Sequence, residues 1–268
     1  DGCQASANSG GGYVYGIYFT GGSSDTIDNT LANSNTTSGS GQYAYGICLK
    51  STSRSVVRNS SAHENVGGFG GSPVGIGIGL DNSSNNEIRN NTANGNTSGA
   101  TVGIGIQLSN GSFQNTIDGN RFETNVRYGI NAANSDSNIF TNNLCIGNNT
   151  TGMLFETGTN NTLSGNLIRS TTSWYGLELA GATNMTVVGN TFDSNSRYQI
   201  YISGAASSDT ILKNNFTTSP QYPDSGIYNG SIAAGNKFTF TRNYWNSTDT
   251  ARIKKMIFQE SNGDSIIW

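Results

Sequence analysis

The amino-acid sequence predicts an all-β solenoid, in which a short repeated unit folds into one coil of strands and the coils stack into a rod. The unit begins with Gly-Φ-x-Φ, where Φ is apolar, and continues after a polar turn as Φ-x-x-Asn-x-Φ-x-x-Asn; residues 105–125 are one complete copy. The copies that contain Ile106, Ile130 and Met153 are 24 and 23 residues apart, and a fixed period of this size is typical of solenoids. Within each copy, apolar and polar residues alternate over short segments bounded by Gly, Asn or Ser, which favours strands.

Two apolar positions mark each copy and define the expected core. The first-half position holds Ile17, Ile47, Ile78, Ile106, Ile130, Met153, Leu177, Ile200 and Ile227. The second-half position holds Ile27, Val57, Ile88, Ile117, Phe140, Leu163, Val187, Ile211 and Phe240. We expect these side chains to form two rows inside a rod of about nine coils, which at about 4.8 Å per coil is roughly 43 Å long.

A row of asparagines is also expected inside the rod. Three residues after the second apolar position lie Asn91, Asn120, Asn143, Asn166, Asn190, Asn214 and Asn243, with Thr30 and Ser60 in the first two copies. Because a side-chain amide both donates and accepts, asparagines stacked about 4.8 Å apart can bond in a continuous ladder. The preceding residue is Asn or Gly in the first seven copies, and both tolerate a left-handed backbone. These features predict a single-stranded right-handed parallel β-helix of about nine coils with an internal asparagine ladder, the handedness following from the usual right-handed crossover.

The repeats differ in length at one corner of the coil. The extra residues fall between the second asparagine and the next Gly-Φ strand, at 36–44, 66–74, 97–102 and 219–225. Insertions at one corner must stack along one edge of the rod. Aromatic residues in or beside them are Tyr13, Tyr15, Tyr43, Tyr45, Phe69 and Tyr222. Such an edge can bind sugar rings or another protein, or the rings can simply cover the core, and the sequence leaves these alternatives open.

The ends of the chain depart from the repeat and divide it into three parts. Residues 1–12 are rich in Gly and Ser and are expected to form a leader or an N-terminal cap, residues 13–248 the parallel β-helix, and residues 249–268 a C-terminal cap. Thr248 or Asp249 can cap a short helix over 250–260. This helix would cover the strand edges and apolar core of the last coil.

The end of the repeat region resembles that of a known family. The Asn-Tyr-Trp…Thr-Asp ending at 243–249, together with the repeats, resembles pectate-lyase-like right-handed β-helices and surface-protein repeats of the carbohydrate-binding and sugar-hydrolase type. The resemblance covers essentially the whole repeat region. It implies a β-helix, and among the enzymes of this fold it implies clustered carboxylates for Ca²⁺ in lyases and neighbouring aspartates in glycosidases.

The motifs that such enzymes use are missing from this sequence. It contains no Asp-Asp pair, and its one histidine is His63. Arg252-Ile253-Lys254 resembles a substrate-binding triplet of the polygalacturonases, but the accompanying Asp-Asp and Gly-His-Gly motifs are absent, as is the Asp-Pro-His-Glu of the alginate epimerases. The sequence therefore favours a protein that is not an enzyme, and no cofactor or metal is expected.

Charged residues at equivalent outward positions form the best polar candidate. One row contains Asp28, Arg58, Arg89 and Asp118; a neighbouring row contains Asn33, His63, Asn94 and Glu123, with Arg121 between the rows; Lys50 and Asp81 form a smaller pair. Alternating charges at coil spacing suit a surface ladder that fixes register, although exposed pairs contribute only about 0–1 kcal/mol each. If the chain were an enzyme or glycan binder, its site would be expected at His63, Arg89, Asp118, Arg121 and Glu123.

Composition excludes several partners. Charged residues make up 12% of the chain and the net charge is −3, which gives no attraction to nucleic acid or anionic lipid. No apolar run reaches the ~18 residues of a membrane span.

Three cysteines are too few for a disulfide framework. Cys145 is expected inward and Cys48 outward, and a bridge from Cys3 to Cys48 is left open.

Glycosylation sequons suggest an extracellular or cell-surface location, although an Asn-rich and Thr-rich chain also produces such triplets by chance. They occur at Asn35, Asn59, Asn82, Asn90, Asn96, Asn110, Asn148, Asn149, Asn160, Asn184, Asn215, Asn229 and Asn246.

Two functional hypotheses from different classes follow. The favoured one is an extracellular structural or adhesive β-helix that self-associates in a surface layer, sheath, filament or adhesin. The alternative is a polysaccharide-active enzyme (lyase, epimerase or hydrolase) or a glycan-binding module, for which glycans are the partner.

Overall fold

A computed structural model of the chain describes residues 2–99, 101–217, 226–231, 237–259 and 265–267. These residues form almost only strands, and all strand pairs are parallel, which confirms the predicted right-handed parallel β-helix. The strands are β1 (Ser9–Gly10), β2 (Val14–Thr20), β3 (Thr26–Asp28), β4 (Thr36–Thr37), β5 (Ala44–Lys50), β6 (Val56–Arg58), β7 (Val66–Gly67), β8 (Gly75–Asp81), β9 (Glu87–Arg89), β10 (Thr97–Ser98), β11 (Gly103–Ser109), β12 (Thr116–Asp118), β13 (Arg121–Glu123), β14 (Tyr128–Ala133), β15 (Ile139–Thr141), β16 (Leu144–Ile146), β17 (Thr151–Glu156), β18 (Thr162–Ser164), β19 (Leu167–Arg169), β20 (Tyr175–Ala180), β21 (Thr186–Val188), β22 (Thr191–Asp193), β23 (Ile200–Gly204), β24 (Thr210–Leu212), β25 (Asn215–Phe216), β26 (Ile227–Ser231), β27 (Lys237–Thr241), β28 (Ile257–Gln259) and β29 (Ser265–Ile267), with one helix, α1 (Thr250–Met256).

The strands stack into four sheets that run along the rod. The front sheet has the order β2-β5-β8-β11-β14-β17-β20-β23-β26-β28, and the back sheet runs from β3 to β29 through β6, β9, β12, β15, β18, β21, β24 and β27. The side sheet, β13-β16-β19-β22-β25, is continued toward the N-terminus by single bridges between Leu31, Ser61, Thr92 and Arg121. The corner sheet, β1-β4-β7-β10, begins in the N-terminal segment with β1 and continues through the predicted insertions with β4, β7 and β10. The insertion expected at 219–225 and its Tyr222 lie outside the described residues.

The core consists of inward rows in coil register. Ile130 pairs with Ile106 on one side and Met153 on the other, and its side chain is 0% exposed. Cys145 lies in a second row, aligned with Phe122, and is also fully buried. Since each row is contributed by successive coils, every coil buries its apolar face only against its two neighbours.

Side-chain amides, most of them buried, form three ladders that run along the rod. The first joins Asn91, Asn120, Asn143, Asn166, Asn190, Asn214 and Asn243, with Nδ2 donating to the next Oδ1 at 2.8–3.1 Å. A second joins Asn8, Asn35, Asn65, Asn96, Asn125 and Asn148. The third joins Asn86, Asn115, Asn138 and Asn161. The sequence analysis found the first and missed the other two.

A left-handed residue precedes the first ladder in nearly every coil. Asn29, Asn59, Asn90 and Asn142 have φ between 50° and 54°, and Gly occupies the same place in other coils, as expected. The last two coils place Lys213 and Arg242 there, with φ of 55° and 56°. These two residues therefore adopt a backbone that is unfavourable for their type.

For residues 1–12, where a leader or an N-terminal cap was expected, the structure differs from the first of these two alternatives. The backbone N–H groups of Ala5 and Ala7 donate to the carbonyls of Leu31 and Asn33, and β1 pairs with β4. Residues 2–10 therefore add part of a coil to the side and corner of the rod, because their peptide groups match the register of the coil that follows.

The C-terminal segment also differs from the predicted cap at 249–268. The helix exists and Asp249 caps it, accepting from Ala251 N at 2.9 Å, but it ends at Met256 instead of Glu260. Ile257 then starts β28, which pairs with β26, and β29 pairs with β27. The helix therefore leads into further strands of the front and back sheets, because Met256 and Ile257 are buried in the continuing core.

None of the three cysteines forms a disulfide, so the bridge left open between Cys3 and Cys48 is absent. Cys3 is exposed, whereas Cys48 is buried on the outer side of the front sheet. Within the described residues, no helix is long and apolar enough to cross a membrane.

Candidate functional site

The polar face predicted around His63 is bonded into the coil. Asn94 N donates to His63 Nδ1 at 3.0 Å, and His63 Nε2 lies 3.0 Å from Thr92 Oγ1. Nδ1 accepts, so the proton is on Nε2, which donates to the hydroxyl. Burial lowers the pKa of His63, and the ring stays neutral. His63 N in turn donates to Asn33 Oδ1, so this row is a chain of side-chain-to-backbone bonds between coils.

The charged residues of the same face are also engaged locally. Arg58 Nη2 and Asp28 Oδ2 are 2.7 Å apart, as are Arg121 Nη2 and Glu123 Oε1. Asp118 accepts from Thr141 Oγ1 at 2.6 Å and from Asn142 Nδ2 at 2.9 Å.

Arg89 departs from the expected row. It does not pair with Asp118 across the coils but lies 2.8 Å from Glu87 Oε1 of its own strand, in an ion pair without hydrogen-bond geometry. The five predicted site residues line neither of the two clefts described below. Their geometry is that of contacts that fix the register.

The sequons fall into two structural classes. Asn35, Asn96, Asn148 and Asn229 are 0% exposed, so in the folded rod they cannot carry a glycan; this corrects the expectation for these four. Asn215 is half-buried, and the exposed ones are Asn59, Asn82, Asn90, Asn110, Asn149, Asn160, Asn184 and Asn246. Most of the exposed ones have a left-handed φ near 50–58°, so turn geometry alone accounts for asparagine there.

A different surface, the front groove, concentrates aromatic and titratable side chains. It is the outward face of the front sheet from β2 to β26. Its floor is built by the x position of the Gly-Φ-x-Φ unit, because that side chain points away from the core between two buried neighbours. These residues are Tyr18, Cys48, Gly79, Gln107, Asn131, Leu154, Glu178, Tyr201 and Tyr228.

The N-terminal part of the front groove is a cleft of about 430 Å³ walled by tyrosines. Tyr15 stacks on Tyr45 with ring centroids 5.2 Å apart, and Tyr13 meets Tyr43 edge-on at 5.6 Å. Tyr45 can lie flat because Gly79 is beneath it, where a Cβ would come within 2.7 Å of the ring. Burial raises the pKa of Tyr15 to about 12, so its hydroxyl remains protonated.

Polar groups close the other side of this cleft. Lys50 Nζ and Asp81 Oδ2 are 3.1 Å apart, so these charges neutralise each other. Burial raises the pKa of Cys48 to about 12, and its thiol is therefore protonated and a poor nucleophile.

The middle of the front groove is a second cleft of about 320 Å³, which shares Tyr43 and Gln107 with the first. Gly71 and Ser72 of a corner insertion form one wall. The guanidinium of Arg127 lies over the ring of Tyr128, 4.9 Å from its centroid. Glu156 lies at the far end, where Asn131 Nδ2 donates to its Oε2 at 3.4 Å.

Glu178 lies beside this second cleft. It pairs in register with Leu154 on β17 and with Tyr201 on β23, and Thr151 Oγ1 donates to its Oε2 at 3.4 Å. Burial is the main cause that raises the pKa of Glu178 to about 6, and the negative charge of Glu156 adds to it. Glu156 pairs in register with Ala180, two residues after Glu178, so the two carboxylates lie on the same outward face of neighbouring strands.

The C-terminal part of the front groove is a second aromatic surface. Tyr201 stacks between Tyr175 and Tyr228, with ring centroids 4.3 and 5.0 Å apart. Tyr198 and the half-exposed Trp174 pack against Tyr175. Aromatic rings thus lie at both ends of the front groove, with the polar residues between them.

Sequence reasoning missed the middle and C-terminal parts of this site. It searched for adjacent aspartates, whereas Glu156 and Glu178 come from different coils, 22 residues apart. The x position of every copy, compared along the chain, predicts Glu178, Tyr201 and Tyr228 as an outward row, but it does not predict Glu156, which lies two residues after the x position of its coil.

Two families match the sequence. Residues 1–143 match the family described as right handed beta helix region, and residues 100–263 match the family described as periplasmic copper-binding protein (NosD). No curated protein matches.

Several solved structures are similar. Full-length tailspike protein 2 of the Escherichia coli O157:H7 bacteriophage CAB120 has a TM-score of 0.66 and 12% identity, over 96% of this chain and 38% of its own. The periplasmic alginate epimerase AlgG has a TM-score of 0.52 and 15% identity, over 97% and 61%. DFA-IIIase from Arthrobacter chlorophenolicus A6 has a TM-score of 0.55 and 10% identity, over 87% and 61%. The chain thus spans 38–61% of the length of these proteins, and at these identities the likeness shows the fold alone.

Proposed function

Because the chain belongs to the right-handed β-helix family over residues 1–143 and to the NosD family over residues 100–263, we propose that it is a glycan-binding β-helix protein of the cell exterior or periplasm. The observation that carries this proposal is the front groove, in which stacked tyrosines lie at both ends of a polar, half-buried cleft. Proteins of similar fold include a bacteriophage tailspike protein and a periplasmic alginate epimerase.

The chemistry of the front groove suits a sugar polymer. The apolar faces of sugar rings stack on aromatic rings, and hydroxyls bond to amides and carboxylates such as those of Gln107, Asn131 and Glu156. The sheet repeats the same strand about every 4.8 Å, so the groove offers similar contacts along its length. An extended chain of repeated units is the ligand that matches a repeated surface.

Copper, which the NosD family description names, does not fit the donor groups of this chain. Copper prefers imidazole and sulfur ligands, whereas both ring nitrogens of His63 are engaged within the coil. Burial raises the pKa values of Cys48 and Cys145 and disfavours their thiolates. Among the residues that the structure describes, no three His, Cys, Asp or Glu side chains cluster as metal ligands. We therefore assign no copper site to them.

Affinity electrophoresis against a panel of polysaccharides tests the proposal. The wild type should be retarded by at least one of them, and Tyr13→Ala should lose much of that retardation. Tyr244→Ala is the matched control, because Tyr244 is 58% exposed against 55% for Tyr13 but lies outside both clefts. Equal loss in both variants, or no retardation by any polymer, contradicts the proposal.

A second candidate function is self-association in a surface assembly. The front sheet begins at β2, and Ile17 and Phe19 of this edge strand are only partly buried. An uncovered strand edge is a template for pairing with another chain. Sedimentation over a range of concentrations should show association that Phe19→Asp weakens; a monomer at every concentration excludes this candidate.

A further inference from the structure

We propose that the front groove selects an amino-sugar glycan, whose protonated amines lie against the carboxylates of Glu156 and Glu178. This inference rests on the proposed glycan-binding function and names the class of ligand.

The first observation is that neither of these carboxylates forms an ion pair among the described residues. The ion pairs found there join Lys50 to Asp81, Arg58 to Asp28, Arg89 to Glu87 and Arg121 to Glu123. Glu156 and Glu178 receive only single, long hydrogen bonds from Asn131 and Thr151, both at 3.4 Å. Their remaining acceptor capacity faces the front groove.

The second observation concerns the local charge. Among the described residues that line the second cleft, Arg127 is the one cation, and it is held over the ring of Tyr128. The described lining of this cleft carries Glu156 and Arg127, and Glu178 lies beside it on the same face of the front sheet, so together two carboxylates stand against one guanidinium and the local charge is negative. A polyuronate would be repelled, whereas a positively charged chain would be attracted.

The residues around Glu178 further favour a positively charged ligand over a negatively charged one. Thr151 and Glu156 face it from β17, Arg127 from the segment before β14, and Tyr175 and Tyr201 from β20 and β23. The carboxylate is partly removed from water, so a bound ammonium group restores the solvation it lacks. The faces of Tyr175 and Tyr201 beside it also attract cations.

The decisive comparison uses two oligosaccharides that differ only in charge. Glucosamine oligomers and N-acetylglucosamine oligomers of equal length share ring and linkage, so calorimetric titration of both isolates the contribution of the amine. We expect the wild type to bind the glucosamine oligomer at least about tenfold more tightly at low salt, with the difference shrinking as salt rises.

Isosteric variants test whether Glu156 and Glu178 cause the tighter binding of the glucosamine oligomer. Glu178→Gln and Glu156→Gln should each weaken binding of the glucosamine oligomer by about tenfold and leave the acetylated oligomer unchanged. Glu64→Gln is the control, because Glu64 is exposed and lies between β6 and β7, outside the front sheet that carries Glu156 and Glu178. Thermal melting of each variant verifies folding, and the wild-type comparison holds even if a variant does not fold.

Each remaining outcome is decisive. Equal wild-type affinity for the two oligomers overturns the amino-sugar assignment but leaves glycan binding in place. Polylysine binding as tightly as the glucosamine oligomer overturns it as well, since charge alone would then suffice. Binding to no glycan at all overturns both this inference and the proposed function.

Discussion

Asp209 places a carboxyl group where the third ladder would carry an amide. Its Oδ1 accepts from Met185 N at 2.8 Å, whereas its buried Oδ2 has no hydrogen-bond partner. The next position along this row is Phe238, as the pairing of Thr210 with Thr239 shows. Burial raises the pKa of Asp209 from 3.8 to about 7, so the folded rod favours the protonated acid.

This carboxyl group should make stability depend on pH. The pKa of Asp209 is higher in the folded protein than in the unfolded chain. The protonated carboxyl group therefore contributes fully to the free energy of unfolding below about pH 4, and this contribution is lost as the pH rises to about 7. One pKa unit corresponds to about 1.4 kcal/mol, and the loss should amount to a few kcal/mol. Asp209→Asn should therefore unfold at a higher temperature than the wild type at pH 8 and at a similar one at pH 4.

Asp136→Asn provides the comparison, because Asp136 is exposed at the equivalent side of an earlier coil. Melting curves at the two pH values should show the same pH dependence for this variant as for the wild type. If Asp209→Asn also retains the full pH dependence, Asp209 is not its source.

The ladder amides themselves should contribute measurably to stability. Asn143 accepts from Asn120 and donates to Asn166 and to the carbonyl of Ile117. Asn143→Ala leaves these buried groups partly unpaired, and we expect a loss of about 1–3 kcal/mol in the free energy of unfolding. Denaturant titration measures this loss. Asn149 is exposed, so the control variant Asn149→Ala should lose well under 1 kcal/mol. Equal losses in the two variants would contradict the structural role of the ladder.

At the scale of the coil, the left-handed residue before the first ladder is Asn or Gly in the earlier repeats but Lys213 or Arg242 in the last two, and these two residue types disfavour that backbone. Lys213 has φ of 55° and an exposed side chain. Lys213→Asn should raise the free energy of unfolding by about 0.5–1 kcal/mol, since asparagine tolerates this backbone better. The reverse change, Asn90→Lys, starts from φ of 54° and should lower it by a similar amount. Denaturant midpoints that do not move in opposite directions would count against this explanation.

The coil also shows what could be predicted from sequence. The rows of Ile106 and Asn120 were predicted because their spacing repeats and their chemistry requires burial or pairing. The other two ladders repeat just as regularly, at five-residue steps such as Asn115, Asn120 and Asn125, so they could have been found. The second cleft could not be found this way, because one of its walls depends on how the insertion around Gly71 folds over the front sheet.

At the scale of the whole molecule, the middle and the end of the rod should respond differently to the same damage. Ile130 is fully buried between two coils, whereas Ile17 lies in the first coil and is partly buried. Ile130→Asp should lower the free energy of unfolding by several kcal/mol, because it places a charge in the core. Ile17→Asp should lower the free energy of unfolding much less, because Ile17 lies in the edge strand β2 and is already partly exposed to solvent. Urea denaturation of both variants measures the difference, and equal costs would show that the stack is not governed by nearest neighbours.

The three ladders also give the rod a direction. Each side-chain Nδ2 donates toward the C-terminal neighbour and each Oδ1 accepts from the N-terminal one, so the amide dipoles all point the same way. The two ends consequently differ in chemistry, like the plus and minus ends of a polar filament. A second copy stacked head to tail would continue donors onto acceptors, whereas head-to-head or tail-to-tail stacking would oppose like groups. Any polymer built by end-to-end stacking should therefore grow with a single polarity.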